Sequence, residues 1–277
     1  MLQLNLDIVT ASPIRLVAID LDGTLLNDSR QVSQQTAGAL ACLPGRGVKV
    51  VLASARPPRS VRHVYRSLAL DTLQINYNGA MIWDEVHSRV NFHQPLEPEV
   101  AREVIAQARE EFPQVLVSCE VCDRWLTDRV DPQYLTETSR LFPPDGILPV
   151  EAMCAEPVTK VLLMGEPEMI SELRARLVES HPHVSLVRSD PDLIQIMHPG
   201  VNKGTALKLV ADHYTVPMSQ VLAIGDATND LPMLAAAGVK VAMDNAPAEV
   251  KAAADWVAPS NNDHGVHAAL VRFGLCE

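Results

Sequence analysis

Two aspartates, Asp20 and Asp22, directly follow an apolar run at residues 14–19. This run has the length and composition of a strand that is buried on both faces of a parallel sheet. Ligands of open α/β sheets bind at the carboxyl ends of such strands, and a spacing of two residues directs both carboxylates to one side. Two carboxylates placed there can share a metal ion and divide the labour of catalysis. The next residue, Gly23, permits a turn in which main-chain N–H groups approach an anion closely.

A hydroxyl and a lysine occupy comparable positions further along the chain. Ser54 ends the second apolar run, residues 48–53, where its hydroxyl and neighbouring N–H groups can donate to a phosphate oxygen. Lys203 stands at the start of a predicted helix, so its ammonium and the helix N-terminus both favour a bound phosphate. Taken alone, Ser54 also fits a helix cap, and Lys203 also fits a surface lysine.

A second acidic segment, which is the fourth cluster, contains Asp226, Asn229 and Asp230 and follows the apolar sequence VLAIG. Hard oxygen donors of this kind suit Mg²⁺ better than Zn²⁺. Taken alone, these acids also fit solvated or paired surface carboxylates. All four clusters, however, stand after apolar strands or at a helix start, in an order that lets them converge on one edge of a sheet. This combination favours a functional site over coincidence.

The segments that carry these clusters alternate between strands and helices, which is typical of a parallel α/β sheet. Strands are predicted at residues 14–19, 48–53, 73–76, 221–224 and 239–243. Helices are predicted at residues 33–43, 61–68, 204–214 and 231–237. Residues 193–197 are interpreted as the return to this pattern.

The central part of the chain, residues 84–189, follows a different pattern. Amphipathic helices at residues 97–112 and 167–180 are mixed with predicted strands at residues 115–119, 125–127, 160–164 and 184–188. Strand pairs beside helices indicate an α+β domain. We therefore expect a catalytic core made of residues 1–83 and 190–277 and an inserted domain made of residues 84–189. The length of 277 residues agrees with two domains.

Composition excludes several classes of protein. The formal net charge of -11 argues against a nucleic-acid surface, because a polyanion requires clustered Lys and Arg. No window reaches the ~20 apolar residues that a membrane span requires, so we expect no membrane partner. The five cysteines are scattered and odd in number, which indicates reduced thiols in the cytoplasm. Cys119 and Cys122 have zinc-ligand spacing but lack the second pair of Cys or His residues that a zinc site needs. We expect no histidine to act as a metal ligand or in catalysis. We expect a monomer or a small homo-oligomer.

The four clusters resemble the motifs of the haloacid dehalogenase superfamily. Asp20-Leu21-Asp22-Gly23-Thr24 is similar to motif one, Ser54 to motif two, Lys203 to motif three, and residues 225–230 to motif four. The turn Tyr77-Asn78-Gly79-Ala80, the insert and the tail from Asn245 to Val266 resemble the Cof-type subgroup. The resemblance implies a Rossmann-like parallel-sheet core with an inserted α+β cap of the C2 type.

Roles for individual residues follow from this resemblance. It implies that Asp20 is the nucleophile and that Asp22 is a general acid and then a general base. It implies that Mg²⁺ is the cofactor, held by the carboxylates of Asp20 and Asp226 and by the main-chain carbonyl of Asp22. It also implies phosphate-binding roles for the Leu21 N–H, Ser54, Lys203 and Asn229, with Asp230 in a supporting position.

The resemblance implies a Mg²⁺-dependent phosphatase that forms an aspartyl-phosphate and acts on a small phosphorylated metabolite, such as a sugar phosphate or a cofactor phosphate. Two alternatives stay open: a phosphomutase that passes the phosphoryl group to an alcohol, and a silent protein that binds a phosphate ligand. The sequence departs from the subgroup's usual Ala-Thr-Gly-Arg at Ser54 and Ala55. Ser54 keeps the hydroxyl of the usual threonine. Ala55 would cost ~1 kcal/mol of stability if its position requires a positive φ.

Overall fold

The computed structural model of the protein describes residues 13–277 and shows an α/β fold. The strands are β1 Leu16–Asp20, β2 Lys49–Ala53, β3 Gln74–Asn76, β4 Met81–Asp84, β5 Arg89–His93, β6 Leu116–Val121, β7 Arg124–Thr127, β8 Gly146–Ile147, β9 Lys160–Met164, β10 Ser185–Asp190, β11 Leu193–Met197, β12 Val221–Gly225, β13 Val239–Met243 and β14 Trp256–Ala258. The helices are α1 Gln34–Cys42, α2 Pro58–Ser67, α3 Pro98–Glu111, α4 Glu137–Leu141, α5 Val150–Met153, α6 Pro167–Ser180, α7 Lys203–His213, α8 Leu231–Ala236, α9 Ala248–Ala252 and α10 Gly265–Arg272.

The chain forms two compact units, and each is discontinuous in sequence. Within the described residues, the first unit contains residues 13–53, Val64–Leu73 and Lys203–Glu277. The second unit contains Ser54–His63 and Gln74–Asn202. The domain limits that we place at residues 84 and 189 stay a prediction.

Strands β14, β13, β12, β1 and β2 of the first unit lie side by side in that order, and all neighbouring pairs are parallel. The whole of β1 is buried, as expected for a strand with apolar side chains on both faces. Ile19 pairs with both Leu52 and Ile224. The carboxyl ends of β1, β2 and β12 therefore lie at one edge of the sheet, and the predicted α/β fold class is confirmed.

Helices α1, α7 and α8 of the first unit begin within one residue of their predicted starts, whereas α9 and α10 are additional to the predicted helices. In α1 the side chain of Ser33 caps the N-terminus, because its hydroxyl oxygen accepts the N–H of Thr36 at 3.2 Å. Helix α7 begins at Lys203, close to the predicted start at residue 204. Across residues 13–277, no helix combines the length and the apolar character needed to cross a membrane.

The second unit is built on a six-stranded sheet in the order β10, β11, β9, β6, β7 and β8. Its neighbouring strands are antiparallel except for β7 and β8. One face of this sheet packs against α3 and α6, through buried residues such as Val117, Val161, Ile105 and Leu173. The opposite face carries the smaller cluster of Leu116, Leu162, Met164 and Leu193. The predicted helices and strands of this segment are confirmed with small shifts in their limits.

One strand assignment is wrong. The sequence places residues 193–197 with the return to the parallel sheet, whereas β11 pairs antiparallel with β10 and β9 in the second unit. A short apolar strand can complete either kind of sheet, because its residue pattern does not specify the partner strand. The hairpin of β4 and β5 is also additional to the predicted strands.

Candidate functional site

Asp20 is the last residue of β1, and Lys203 is the first residue of α7. Lys203 is fully buried and Asp20 is 6% exposed. The Nζ of Lys203 donates to Asp20 Oδ1 at 2.5 Å and to Asp230 Oδ1 at 2.6 Å. One buried ammonium therefore holds two carboxylates that come from the ends of different elements.

Both carboxylate oxygens of Asp230 accept hydrogen bonds from other residues of the protein. Its Oδ1 accepts from Lys203, and its Oδ2 accepts the main-chain N–H groups of Asp226 and Ala227, each at 3.0 Å. These bonds close the loop after β12 and fix the direction of Asp226. Asp230 therefore acts as a structural link between Lys203 and this loop.

Asp226 is half-buried and receives two side-chain donors. The hydroxyl of Thr24 donates to Asp226 Oδ1 at 2.7 Å, and the amide of Asn245 lies 3.4 Å from Asp226 Oδ2. Asn245 also donates to the Gly23 carbonyl at 2.8 Å. The structure thus adds Thr24 and Asn245 to the site. Both residues lie within motifs that the sequence shows, but the sequence predicts no contact for either of them.

Glycine is required at position 23 for two reasons. Its φ is +80°, in the left-handed region that favours glycine. A Cβ at this position would lie 2.3 Å from Asp226 Oδ2, far inside contact distance. Gly23 therefore makes room for the Asp226 carboxylate.

Burial and mutual repulsion shift the pKa values of these groups. Burial raises the pKa of Asp20 well above its usual value, and the neighbouring charge of Asp230 raises it further, although Lys203 opposes both effects. Burial likewise raises the pKa of Asp226. Burial alone would lower the pKa of Lys203, but Asp20 and Asp230 together raise it above its usual value. The arrangement therefore keeps the lysine charged and disfavours negative charge on the acids.

Asp20, Asp226 and Asp230 form a group that fits a divalent cation, and we call it the aspartate cluster. Each residue offers one carboxylate oxygen, and these oxygens lie within 4.8 Å of one another. Three carboxylates face one ammonium, and hard oxygen donors of this kind suit Mg²⁺. Asp230 is completely buried, and the Lys203 ammonium and two main-chain N–H groups use its oxygens. Asp226 is only half-buried and receives neutral side-chain donors, and Lys203 donates to a single oxygen of Asp20, so these two are the better metal ligands.

Three other predicted residues also lie in the first unit. Asp22 is exposed in the loop after β1, where it forms an isolated parallel bridge with Leu26. Leu21 is fully buried, and its carbonyl accepts the Leu26 N–H at 2.9 Å. Asn229 is half-buried in the turn that precedes α8. Their catalytic, metal-binding and phosphate-binding roles stay predictions.

Ser54 belongs to the second unit and is 1% exposed. Its hydroxyl accepts the N–H of Arg56 at 3.1 Å, and its carbonyl accepts the N–H of Asn78 at 3.0 Å. Its predicted contact with phosphate stays a prediction. The neighbouring Ala55 does not adopt a positive φ, so the strain considered for this alanine does not arise.

The sequence profile of one protein family, described as haloacid dehalogenase-like hydrolase, matches residues 17–270. The match begins inside β1 and ends inside α10. It therefore includes every segment that contributes to the aspartate cluster.

Individual proteins are similar over nearly the same extent. The 5-amino-6-(5-phospho-D-ribitylamino)uracil phosphatase YitU of Bacillus subtilis is 30% identical over 262 residues, which cover 93% of this chain and 97% of that protein. The HMP-PP phosphatase of Cronobacter sakazakii is 32% identical over 235 residues, which cover 84% of this chain and 85% of that protein. The crystal structure of a haloacid dehalogenase-like hydrolase from Bacteroides thetaiotaomicron matches with a TM-score of 0.85 at 26% identity, covering 94% of this chain and 99% of that one.

Proposed function

Because this chain belongs to the haloacid dehalogenase-like hydrolase family, we propose that it is a phosphatase that hydrolyses a small phosphorylated metabolite. Two relatives support this substrate class, since both are named as phosphatases of small phosphorylated compounds. A sugar phosphate or a cofactor phosphate is the expected substrate.

One observation carries the proposal: a buried carboxylate, Asp20, is held at the end of β1 by the buried ammonium of Lys203. A carboxylate fixed in this way is oriented for attack, and covalent catalysis divides one difficult displacement into two easier steps. The same ammonium can stabilise charge on the phosphoryl oxygens as the ester bond breaks.

In the proposed first step, an oxygen of Asp20 forms a bond to phosphorus while the bond between phosphorus and the ester oxygen breaks. Asp22 gives its proton to the departing alkoxide, which leaves as an alcohol. In the second step, the Asp22 carboxylate takes a proton from water, and the water oxygen attacks phosphorus. The bond between phosphorus and the Asp20 oxygen breaks as the water oxygen bonds to phosphorus, which releases inorganic phosphate and restores the Asp20 carboxylate. The exposed position of Asp22 suits a group that exchanges protons with water.

We further propose that Asp20, Asp226 and the main-chain carbonyl of Asp22 hold Mg²⁺. When bound, the ion would offset the repulsion between the anionic nucleophile and the anionic phosphate. Asp230 and Thr24 would keep Asp226 in place, through the contacts described above. Leu21, Lys203 and Asn229 are the proposed donors to the phosphoryl oxygens.

The test is phosphate release by the purified protein from a panel of sugar phosphates, nucleotides and cofactor phosphates, with Mg²⁺ and with a chelator. We expect release that requires Mg²⁺ and falls to the background in Asp20→Asn, because an amide cannot attack phosphorus. Asp71→Asn is the matched control, since Asp71 is exposed. Near-normal release by Asp20→Asn would exclude the mechanism. An isomeric phosphate ester in place of inorganic phosphate would instead indicate a phosphomutase.

A further inference from the structure

Cys122 is an exposed cysteine in the turn between β6 and β7. The strand pair ends at Val121 and Arg124, so Cys122 and Asp123 form the whole turn. Both turn residues have a positive φ, +47° and +71°, as a two-residue hairpin turn with the right twist requires. The main-chain N–H of Cys122 donates to the hydroxyl oxygen of Thr159 at 3.1 Å. The turn and this hydrogen bond therefore fix the backbone that carries the Cys122 thiol.

His93, the last residue of β5, lies beside this thiol. Its Nδ1 is 3.6 Å from the Sγ of Cys122, and its Nε2 is 2.9 Å from the hydroxyl oxygen of Thr159. Thr159 is fully buried. A hydroxyl oxygen has two lone pairs, so Thr159 can accept both the Cys122 N–H and a proton on Nε2 of His93. The lone pair of Nδ1 then faces the sulfur of Cys122.

The spatial partner of Cys122 is thus His93, which is 29 residues away in the sequence. Cys119 has zinc-ligand spacing to Cys122, but it is fully buried in the apolar cluster that α3 and α6 cover. A ligand that reaches the exposed Cys122 from solvent therefore meets His93 and not Cys119. The spacing of the two cysteines does not identify the pair that the fold brings together.

The geometry of Cys122 and His93 matches one edge of a zinc site. Thiolate sulfur and imidazole nitrogen are ligands that Zn²⁺ prefers. In a tetrahedral site, Zn–S bonds of about 2.3 Å and Zn–N bonds of about 2.0–2.1 Å place these two ligand atoms about 3.6 Å apart. The separation of Sγ and Nδ1 is 3.6 Å. The second nitrogen of a zinc-bound histidine normally donates to an oxygen that orients the ring, and Thr159 provides that oxygen.

A nucleophilic cysteine is the other function that a Cys–His pair can have, and the surroundings disfavour it. Burial raises the pKa of the Cys122 thiol, while the charges of Arg124 and Glu156 act on it in opposite directions. These two residues also pair with each other, at 2.8 Å. Burial lowers the pKa of His93. A neutral thiol therefore faces a neutral imidazole, whereas a nucleophilic pair requires a thiolate. A neutral imidazole is the form that binds a metal ion.

We propose that Cys122 and His93 bind Zn²⁺ or another thiophilic divalent cation, with Thr159 orienting His93 and water completing the coordination. On binding, a bond between the metal and sulfur replaces the S–H bond, and the thiol proton passes to solvent. Two protein ligands leave the ion exchangeable, unlike the closed four-ligand sites that hold structural zinc. The site shares no residue with the aspartate cluster, so it does not depend on the phosphatase mechanism.

The first test measures how fast iodoacetamide alkylates each cysteine of the full wild-type chain, with the products mapped by mass spectrometry. Excess Mg²⁺ is present throughout to occupy the aspartate cluster. Zn²⁺ should slow the alkylation of Cys122 at least about tenfold, because a metal-bound sulfur is not free to react. Cys42 is the internal control, since it is also exposed and its Sγ contacts only the carbonyl of Gly38, at 3.3 Å. An equal rate for Cys122 with and without Zn²⁺ would overturn the proposal.

Two histidine variants identify the second ligand. His93→Gln should need at least about tenfold more Zn²⁺ to protect Cys122, because it removes the imidazole nitrogen. His87→Gln is the matched control, since His87 is an exposed histidine of the same unit that pairs with Asp84. Protection that is unchanged in His93→Gln would exclude His93 as a ligand and contradict the proposal.

Co²⁺ in place of Zn²⁺ provides a spectroscopic readout of the sulfur ligand. The wild type should show a sulfur-to-cobalt charge-transfer band, which Zn²⁺ should displace. The aspartate cluster offers only oxygen ligands and cannot produce this band. Cys122→Ser should lose the band, and Cys42→Ser should keep it. A band that persists in Cys122→Ser would place the metal on another cysteine and overturn the proposal.

Discussion

Lys203 offsets part of the repulsion among the three carboxylates of the aspartate cluster. It is fully buried, and it bonds to Asp20 and Asp230 at short distance. A buried cation in contact with two anions avoids the cost of an unpaired charge, but one ammonium cannot neutralise three carboxylates. The remaining negative charge favours either protons or a divalent cation. The site is therefore under electrostatic strain in the absence of metal.

Replacing Asp20 by Asn should stabilise the metal-free protein at neutral pH. The pKa of Asp20 is raised in the folded state, so its contribution to stability is complete below the ordinary value of 3.8 and is lost as pH rises through the folded value. Asparagine does not ionise and avoids this loss. We expect the free energy of unfolding of Asp20→Asn to exceed that of the wild type at pH 7, with chelator present.

Urea unfolding at several pH values measures this difference, which should shrink as pH falls towards 3.8. Asp71→Asn serves as control, because Asp71 is exposed and its change should stay within about 0.5 kcal/mol. A variant that is less stable than the wild type at pH 7 would contradict the assigned direction of the Asp20 pKa.

Replacing Gly23 by Ala should impair the metal site more than it impairs the fold. The variant combines an unfavourable φ of +80° with a Cβ 2.3 Å from Asp226 Oδ2. Gly47 offers a matched control, because its φ is +73° and a Cβ there would meet nothing within 4 Å. Both variants should lose about 1 kcal/mol of stability from the backbone.

Only Gly23→Ala should also need at least about tenfold more Mg²⁺ for half-maximal activity, since moving a metal-binding carboxylate weakens affinity. Calorimetric titration with Mg²⁺ and urea unfolding together separate the two effects. Equal Mg²⁺ affinities for Gly23→Ala and Gly47→Ala would show that the contact with Asp226 is unimportant.

The loop after β1 is held in place by the segments that follow β13 and β14. Asn245 donates to the Gly23 carbonyl, and its own side-chain oxygen accepts the N–H of Asn261 at 3.1 Å. Asn261 in turn donates to the Leu26 carbonyl at 3.0 Å. The loop that carries Asp22 is therefore tied to the C-terminal part of the chain at two points.

Asn245→Ala should weaken Mg²⁺ binding, because it removes the link between the Gly23 carbonyl and the Asp226 carboxylate. Loss of a residue that orients a metal ligand typically costs about 10-fold or more in metal affinity. Asn262→Ala is the comparison, since Asn262 contacts the exposed Asp28 and neither Gly23 nor Asp226. Calorimetry should show a higher dissociation constant for Mg²⁺ in Asn245→Ala alone. Equal losses in both variants would indicate general loosening of the loop.

The aspartate cluster could be predicted from the sequence, because its residues follow strands with a clear apolar pattern. Asp20 and Asp226 stand at the ends of fully buried runs, and the parallel register places such ends together. The partner of β11 could not be predicted, because the pattern of a short apolar strand does not say which sheet it completes. The buried pair of Lys160 and Glu120 could not be predicted either, because only the pairing of β6 with β9 brings these two residues together.

The two compact units of the molecule carry their charged clusters separately. The aspartate cluster lies in the first unit, whereas Lys160, Arg59 and Glu120 lie in the second. A ligand that binds only the folded state stabilises the structure that forms its site. Mg²⁺ should therefore slow hydrogen exchange mainly in the first unit.

Mg²⁺ should protect the segments that form the aspartate cluster. At a concentration 100 times its dissociation constant, Mg²⁺ should add about 2.7 kcal/mol to the free energy of any opening that destroys the site. Amides in residues 20–28 and 225–231, which include Asp20 and Asp226, should then exchange up to about a hundredfold more slowly in hydrogen exchange followed by mass spectrometry. Asp226→Asn should lose this protection because the amide replaces a charged ligand, whereas Asp71→Asn should retain it. Protection that persists unchanged in Asp226→Asn would place the metal elsewhere, and protection centred on β6 and β9 would assign it to the second unit.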